Sequence, residues 1–325
     1  FQVCRCGCHP KIFARQRRTL MYDIIIIGGG PAGLTAALYA RRAGKTVLVI
    51  EKNTFGGQIV WSPKVENFPG FASVSGMELG DKLMTQAMSV GAELELDEVT
   101  KVSKNDDGFC VCTQLSGEFE AKALIFATGS APRHLGLPNE EALIGGGISF
   151  CAVCDGEFFR GSDVAVVGGG NTALQEALYL SDICANVHLI HRRDTFRADQ
   201  SLTEHIARRP NIHLHCPSEI IALHGTDQLQ GVTILSKGES HQETHLAVNG
   251  LFVAVGHDPQ TSLLTTFADL DEYGYVYADE NTTTRTAGIF VAGDCRKKSV
   301  KQLTTAVADG SCAAIAACHY LDSLS

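Results

Sequence analysis

The chain reads as an α/β protein in which one βαβ-based domain is inserted into another. Two glycine-rich turns, near residues 28 and 168, each follow an apolar strand (24–27 and 164–167). Each precedes an amphipathic helix (34–43 and 173–181) and then a second short strand (47–50 and 187–190), so a βαβ unit begins twice. Three later apolar runs, 123–129, 250–256 and 289–293, end in glycine as strands leading into loops do. Pro132, Pro138 and Pro259 sit where the chain should change direction. They place the crossings near residues 133 and 258, so residues 21–133 and 259–325 make one domain and residues 134–258 the insert.

The length of 325 residues suffices for two domains with separate cores, and 45% hydrophobic with 19% charged residues is the balance of a globular protein. No apolar run approaches the roughly 18 residues that a membrane helix needs, so no membrane association is expected. The formal net charge is −9, but residues 1–20 contribute +5 from Arg5, Lys11, Arg15, Arg17 and Arg18, leaving −14 for the rest. An acidic body repels phosphate backbones, which argues against a nucleic-acid partner. Twelve cysteines are scattered through apolar segments (Cys110, Cys184, Cys312, Cys318) and do not frame loops. They read as buried free thiols in a reducing cytoplasm.

Residues 1–20 match nothing that follows, and Met21 stands directly before the first strand, so Met21 reads as the natural start and the leader as a tag or upstream-frame segment. An Arg-rich, acid-free targeting peptide is the rival reading. Cys4, Cys6, Cys8 and His9 could also hold a soft metal, though no second ligand cluster accompanies them.

Gly28-x-Gly30-x-x-Gly33 has the spacing of a Rossmann-like dinucleotide fingerprint. One glycine turns tightly, one lets the backbone approach a pyrophosphate, and one packs helix on strand, with Pro31 and Ala32 opening the helix. Amides at the helix start then face the phosphates. Glu51 ends the next strand 21 residues after Gly30, where a carboxylate should accept from a ribose hydroxyl. The second copy, Gly168-x-Gly170-Asn171-Thr172-Ala173, is the alanine variant. The same count from Gly170 reaches His191, followed by Arg192, Arg193 and Arg197. Guanidinium groups there would bind a 2′-phosphate, which points to NADP(H) over NAD(H). Two such sites suggest a flavin at the first and a nicotinamide at the second.

With twelve cysteines, chance would give about 0.4 pairs at a spacing of three, so a C-x-x-C needs context. Cys151-Ala152-Val153-Cys154 has it. The pair lies just ahead of the second nucleotide strand, is followed by Asp155-Gly156, and could close a two-electron disulfide relay with Asp155 handling the proton.

These segments together resemble the low-molecular-weight thioredoxin reductases. The likeness runs through residues 28–33, 51–58 ending Gly56-Gly57-Gln58, Val65-Glu66-Asn67-Phe68-Pro69-Gly70, Ala127-Thr128-Gly129, 151–156, 168–173, His191-Arg192-Arg193 with Arg197, and Gly293-Asp294, in order over nearly everything from Met21. It implies an NADPH domain inserted into an FAD domain, in a homodimer acting on thioredoxin as NADPH-dependent thioredoxin-disulfide reductase. FAD would lie against residues 28–33, Glu51, Lys52, Gly56, Gly57, Gln58, Asn67, Ala127, Thr128, Gly129, Gly293, Asp294, Lys301, Gln302 and Leu303. NADPH would lie against Gly168, Gly170, Asn171, Thr172, Ala173, His191, Arg192, Arg193 and Arg197. Cys154 would be the thiol nearest the flavin, Cys151 the one that attacks the protein disulfide, and Asp155 the proton donor. The family's inserted domain rotates so that the flavin meets first the nicotinamide and then the cysteine pair.

Three positions depart from the family pattern. Gln175 stands where glutamate is common, Lys301 replaces an arginine beside Gln302, and Cys295 follows Asp294 as a packed thiol. The larger glutathione-reductase-like class carries a C-x-x-x-x-C after its first nucleotide unit, and residues 52–109 contain no cysteine. A related flavin disulfide reductase with another electron donor or another thioredoxin-like partner is the alternative reading.

Overall fold

A computed structural model describes residues 21–324 apart from Pro63, Glu239 and Ser240. The readings of residues 1–20, including the Cys4, Cys6, Cys8 and His9 cluster, lie outside the described residues. The first body opens with β1 (Met21–Ile27), α1 (Pro31–Arg42), β2 (Val47–Glu51), α2 (Gly76–Ser89) and β3 (Glu93–Leu96). A meander of β4 (Val99–Lys104), β5 (Phe109–Thr113) and β6 (Glu118–Phe126) follows. The strand order is β3-β2-β1-β6-β5-β4. β6 is shared along its length: residues 118–121 pair antiparallel with β5, while residues 124–126 run parallel to a late strand at Ile289–Val291. Ile24, Ile25 and Ile26 of β1 are wholly buried, because helices cover one face and the meander and residues 264–276 the other. That two-sided burial explains the unbroken isoleucine run.

The chain then enters β7 (Ser130–Pro132), the short helix α3 (Glu140–Leu143), β8 (Ile148–Ser149) and α4 (Ala152–Asp155). The second body continues with β9 (Asp163–Val167), α5 (Asn171–Ser181), β10 (Asn186–Ile190), α6 (Gln200–Ala207) and β11 (Ile212–His215). An antiparallel sheet of β12 (Ser218–His224), β13 (Gly231–Ser236) and β14 (Glu243–Leu246) precedes β15 (Gly250–Val253) and β16 (His257–Pro259). The parallel sheet, ordered β11-β10-β9-β15-β8, is covered by α5 and α6 on one face and by the β12–β14 sheet on the other. The chain returns to the first body through β17 (Ile289–Val291) and α7 (Leu303–Ser323). Alanines 36, 37 and 40 of α1 and 313, 314 and 317 of α7 share one core, and these small side chains let the two helices lie close.

β7 and β16 pair antiparallel with each other, His257 opposite Pro132, and Arg133 reaches Asp258 at 2.6 Å. This two-stranded ribbon carries both passages of the chain between the bodies. The expected 123–129 strand ends at Phe126, so that Ala127 to Gly129 are free to form a loop beside the first fingerprint. The thiols correct the sequence reading in part. Cys184 and Cys318 are buried, but Cys110 is half-buried on the outward face of β5 and Cys312 is exposed on α7. Cys295 is fully buried.

Candidate active site

Cys151 and Cys154 are joined in a disulfide across α4, with their Cα atoms 5.3 Å apart. The turn is held from within: Cys151 O accepts from the amides of Cys154 at 3.2 Å and Asp155 at 3.1 Å. The Ser149 hydroxyl accepts from Cys151 N–H at 3.1 Å and donates to Asp155 Oδ2 at 2.6 Å. Asp155 Oδ1 is buried and has no hydrogen-bond partner among the described residues. Burial pushes the Asp155 carboxyl above the usual range, against the pull of the Ser149 and Ser62 hydroxyls. Cys151 is half-buried and Cys154 exposed. Ser62 belongs to the first body, as does Lys64, whose Nζ lies 5.6 Å from the centre of the Phe158 ring just after the disulfide. The redox pair therefore sits where the second body meets the first.

A carboxylate that the sequence reading passed over lies behind the disulfide. Glu176 is 9% exposed, its Oε1 accepts from Ala152 N–H at 3.3 Å, and its Oε2 has no partner among the described residues. Burial pushes its pKa up to about 7. The signal was present in the sequence, since Glu176 follows Ala173 by three and precedes Leu180 by four, on the buried face of α5. Gln175 beside it, at the position where the family commonly has glutamate, is exposed.

The first fingerprint folds as its spacing requires. A Cβ on Gly33 would stand 1.9 Å from Gly28 O, so helix α1 can leave the strand at this angle only with glycine there. Gly30 begins α1 with Pro31 at its first position, and Ala32 is buried beneath. Gly57, at φ +62°, faces Gly30 so closely that a Cβ would lie 2.9 Å from Gly30 Cα. Gly56 N–H donates to Gly29 O at 2.8 Å. Glu51 braces the turn, accepting from Gly29 N–H at 2.6 Å and Asn53 N–H at 2.9 Å, while Lys52 beside it is exposed.

Other predicted residues close around this cleft. Gln58 donates to Ser130 O at 2.6 Å, Thr128 Oγ1 to Gln260 O at 2.5 Å, and Gly129 O accepts from Gln260 N–H at 3.0 Å. Ala127 O lies against Gly28, and Gly293 against Ala32. Asn67 Nδ2 donates to Gln302 Oε1 at 3.4 Å, and Gln302 caps α7. Asp294 Oδ1 is buried, 3.5 Å from Lys298 Nζ, and makes no hydrogen bond among the described residues. Burial raises its carboxyl despite Lys298 and Lys301. Lys301 Nζ lies 3.3 Å from the centre of the Tyr275 ring, close enough to act on Asp294, and Leu303 packs on Val65, Val74 and Leu79.

At the second fingerprint, Gly168 packs on Ala173, and no heavy atom lies within 4 Å of where a Gly170 Cβ would stand. Asn171 and Thr172 are exposed at the start of α5. The arginine loop is folded back onto this turn, Arg197 N–H donating to Gly169 O at 2.7 Å and Asp199 N–H to Asn171 Oδ1 at 2.8 Å. Arg192, Arg193 and Arg197 are exposed, and their side chains have no ion-pair partner among the described residues. His191 differs from them. It is 8% exposed, packs against Gly169 and stacks on Phe196 at 5.5 Å, and burial lowers its pKa. It props the turn from behind.

Residues 22–310 match the family described as pyridine nucleotide-disulphide oxidoreductase. The chain is 40% identical over 304 residues to a thioredoxin reductase of Treponema pallidum, covering 93% of this chain and 98% of that one. It is 41% identical over 303 residues to a Mycobacterium leprae protein described as bifunctional thioredoxin reductase/thioredoxin, covering 93% of this chain but 66% of that protein. The crystal structure of thioredoxin reductase from Streptococcus pyogenes aligns at a TM-score of 0.88 with 39% identity, over 94% of this chain and 99% of that one. Lactococcus lactis thioredoxin reductase in its FR conformation aligns at 0.65 with 36% identity, over 93% and 99%.

Proposed function

The chain belongs to the pyridine nucleotide-disulphide oxidoreductases and within them to the low-molecular-weight thioredoxin reductases, and we propose that it moves electrons from NADPH through FAD to Cys151–Cys154. It is a thioredoxin-disulfide reductase that uses a flavin and a pyridine nucleotide, with thioredoxin as its protein substrate. The observation that carries the route is the closed Cys151–Cys154 pair, held by Ser149 beside the half-buried Asp155 where the two bodies meet.

The first fingerprint is the FAD site in this reading. The close approach of Gly57 to Gly30 leaves no room for a Cβ on Gly57, and Asp294 Oδ1, ion-paired with Lys298 but free of hydrogen bonds among the described residues, offers a buried acceptor to a hydroxyl of the cofactor. The second is the NADPH site. Open space at Gly170 suits a pyrophosphate, and the unpaired Arg192, Arg193 and Arg197 suit a 2′-phosphate. When bound, the nicotinamide supplies a hydride and the flavin passes on its electrons as a pair.

The remaining steps belong to the chain's own residues. Opening the Cys151–Cys154 bond takes two electrons and two protons and leaves two thiols. In this reading Cys154 would be the sulfur that faces the flavin, as the family resemblance implies. The Cys151 thiol loses its proton to solvent and attacks the thioredoxin disulfide, forming a mixed disulfide and releasing a thioredoxin thiolate that takes a proton from Asp155. Cys154 then gives its proton back to Asp155 and attacks Cys151, which re-forms the internal bond and frees the second thioredoxin thiolate to take a proton from solvent. The hydrogen bond from Ser149 holds Asp155 Oδ2, leaving Oδ1 as the oxygen that carries the proton.

Exchange of the disulfide between flavin and thioredoxin requires the insert, residues 134–258, to turn relative to residues 21–133 and 259–325. The β7–β16 ribbon suits a hinge because two short strands and one exposed ion pair make up the connection. The drop in TM-score from 0.88 to 0.65 at nearly equal identity and coverage supports two arrangements of the same bodies. No helix of the described residues is long and apolar enough to cross a membrane. We propose further that the protein works as a homodimer in the cytoplasm. Turnover of thioredoxin with NADPH or NADH, read by a chromogenic disulfide, tests the function. Flavin-free protein, or a rate indifferent to thioredoxin, would refute it.

A further inference from the structure

The meander of the first body carries two cysteines that the redox reaction does not use. Along β5, Phe109, Val111 and Thr113 turn inward and are buried, so Cys110 and Cys112 share the opposite, half-buried face. The antiparallel register with β6 sets Glu118 opposite Cys112 and Glu120 opposite Cys110. Cys112 Sγ lies 3.6 Å from Glu118 Oε1, and the two sulfurs and a Glu118 oxygen all lie within 4.8 Å of one another. On the other side β4 places Lys101 opposite Cys112 and Ser103 opposite Cys110.

We infer that this face binds a thiolate-seeking divalent cation, zinc in the first instance, through Cys110 Sγ, Cys112 Sγ and a Glu118 carboxylate oxygen. Zinc bonds of about 2.3 Å to sulfur and about 2.1 Å to oxygen, in a tetrahedron, separate two sulfurs by about 3.8 Å and a sulfur from an oxygen by about 3.6 Å. The Cys112–Glu118 pair already has that spacing, and the third atom needs to move by about 1 Å, within the reach of side-chain rotation. Glu120 stands opposite Cys110 on β6.

A divalent ion takes the two cysteines as thiolates, releasing their protons as it binds. Two sulfur ligands favour zinc over the oxygen-seeking magnesium and calcium. Lys101 is exposed and can turn to solvent when the cation enters. The site ties β5 to β6 and lies outside the redox path, so metal should leave thioredoxin turnover unchanged.

The test uses the oxidised, FAD-loaded full chain, whose Cys151–Cys154 pair is closed and cannot ligate. Co²⁺ alone is the probe, because thiolate ligation in a tetrahedral field gives absorption to the red of the oxidised flavin, and Zn²⁺ is the competitor. The expected result is a thiolate–cobalt signal that Zn²⁺ abolishes. It should be lost in the Cys110→Ser, Cys112→Ser variant, weakened at least about tenfold in affinity by Glu118→Gln, and kept when Cys4, Cys6 and Cys8 are serine. A second measurement needs no variant: Zn²⁺ should protect Cys110 and Cys112 of the unmodified chain from alkylation, read by peptide mass spectrometry. The inference is overturned if no such signal forms, if it survives in the double-serine variant, if it vanishes with the leader cysteines, or if Zn²⁺ leaves both cysteines unprotected.

Discussion

Replacing Glu176 with glutamine should stabilise the protein above pH 7 while leaving the cysteine turn in place, since an amide oxygen can still accept from Ala152 N–H. The folded chain keeps a proton on Glu176 up to about pH 7, whereas the unfolded chain loses it near 4.5. The group's contribution is therefore full below about 4.5, falls as pH rises through that interval, and is lowest above about 7. At about 1.4 kcal/mol per pH unit, the wild-type carboxylate costs about 3 kcal/mol at pH 8 that the amide does not. With an unfolding entropy of about 2 cal/mol/K per residue over about 300 residues, this is about 5 °C in Tm. Melting of the flavin-loaded proteins at pH 5 and pH 8 is the assay. The variant should gain its advantage at pH 8 and lose most of it at pH 5. An equal shift at both pH values, or a lower Tm at pH 8, would refute the account of Glu176 as a buried carboxyl held neutral.

Replacing Arg192 and Arg193 with alanine should raise KM for NADPH and leave NADH nearly unchanged; at about 1.5–3 kcal/mol per charge-assisted contact, the preference should fall tenfold or more, and equal losses with both cofactors would contradict the assignment. Asp155→Asn should slow dithiol–disulfide exchange by about 10²-fold to 10⁴-fold while flavin reduction by NADPH stays fast in stopped flow. Because burial raises the Asp155 pKa, the wild-type rate of exchange should fall as pH rises through that raised value, and the variant should lose this limb. Gly57→Ala should put a methyl group 2.9 Å from Gly30 Cα and weaken FAD binding by about tenfold or more, read as flavin fluorescence on release.

Both fingerprints were legible because each is a local pattern: a strand, a tight turn and a helix start within a dozen residues, with the following strand at a fixed count. The same holds for Cys151-x-x-Cys154, which closes within one turn of helix. What escaped the reading depends on distant partners. Cys110 looked like a core thiol because its neighbours Phe109 and Val111 are apolar, but strand alternation turns it outward, and only the register with β6 puts Glu118 beside Cys112. His191 fell at the counted position, yet its ring packs under Gly169, so the count located the loop and not the side chain's direction. Glu176 stood on a buried helix face in plain view, and the ordinary rule that glutamate faces water hid it.

An anaerobic titration with NADPH of the Cys151→Ser, Cys154→Ser double variant, set against the wild type, tests most directly the claim that electrons leave through this pair. The wild type should take up about two equivalents before the flavin is fully reduced, one for the disulfide and one for the flavin, and should pass electrons to thioredoxin. The variant should bleach with about one equivalent and reduce no thioredoxin. A variant that still consumes two equivalents, or still turns over thioredoxin, would show that another pair carries the electrons out.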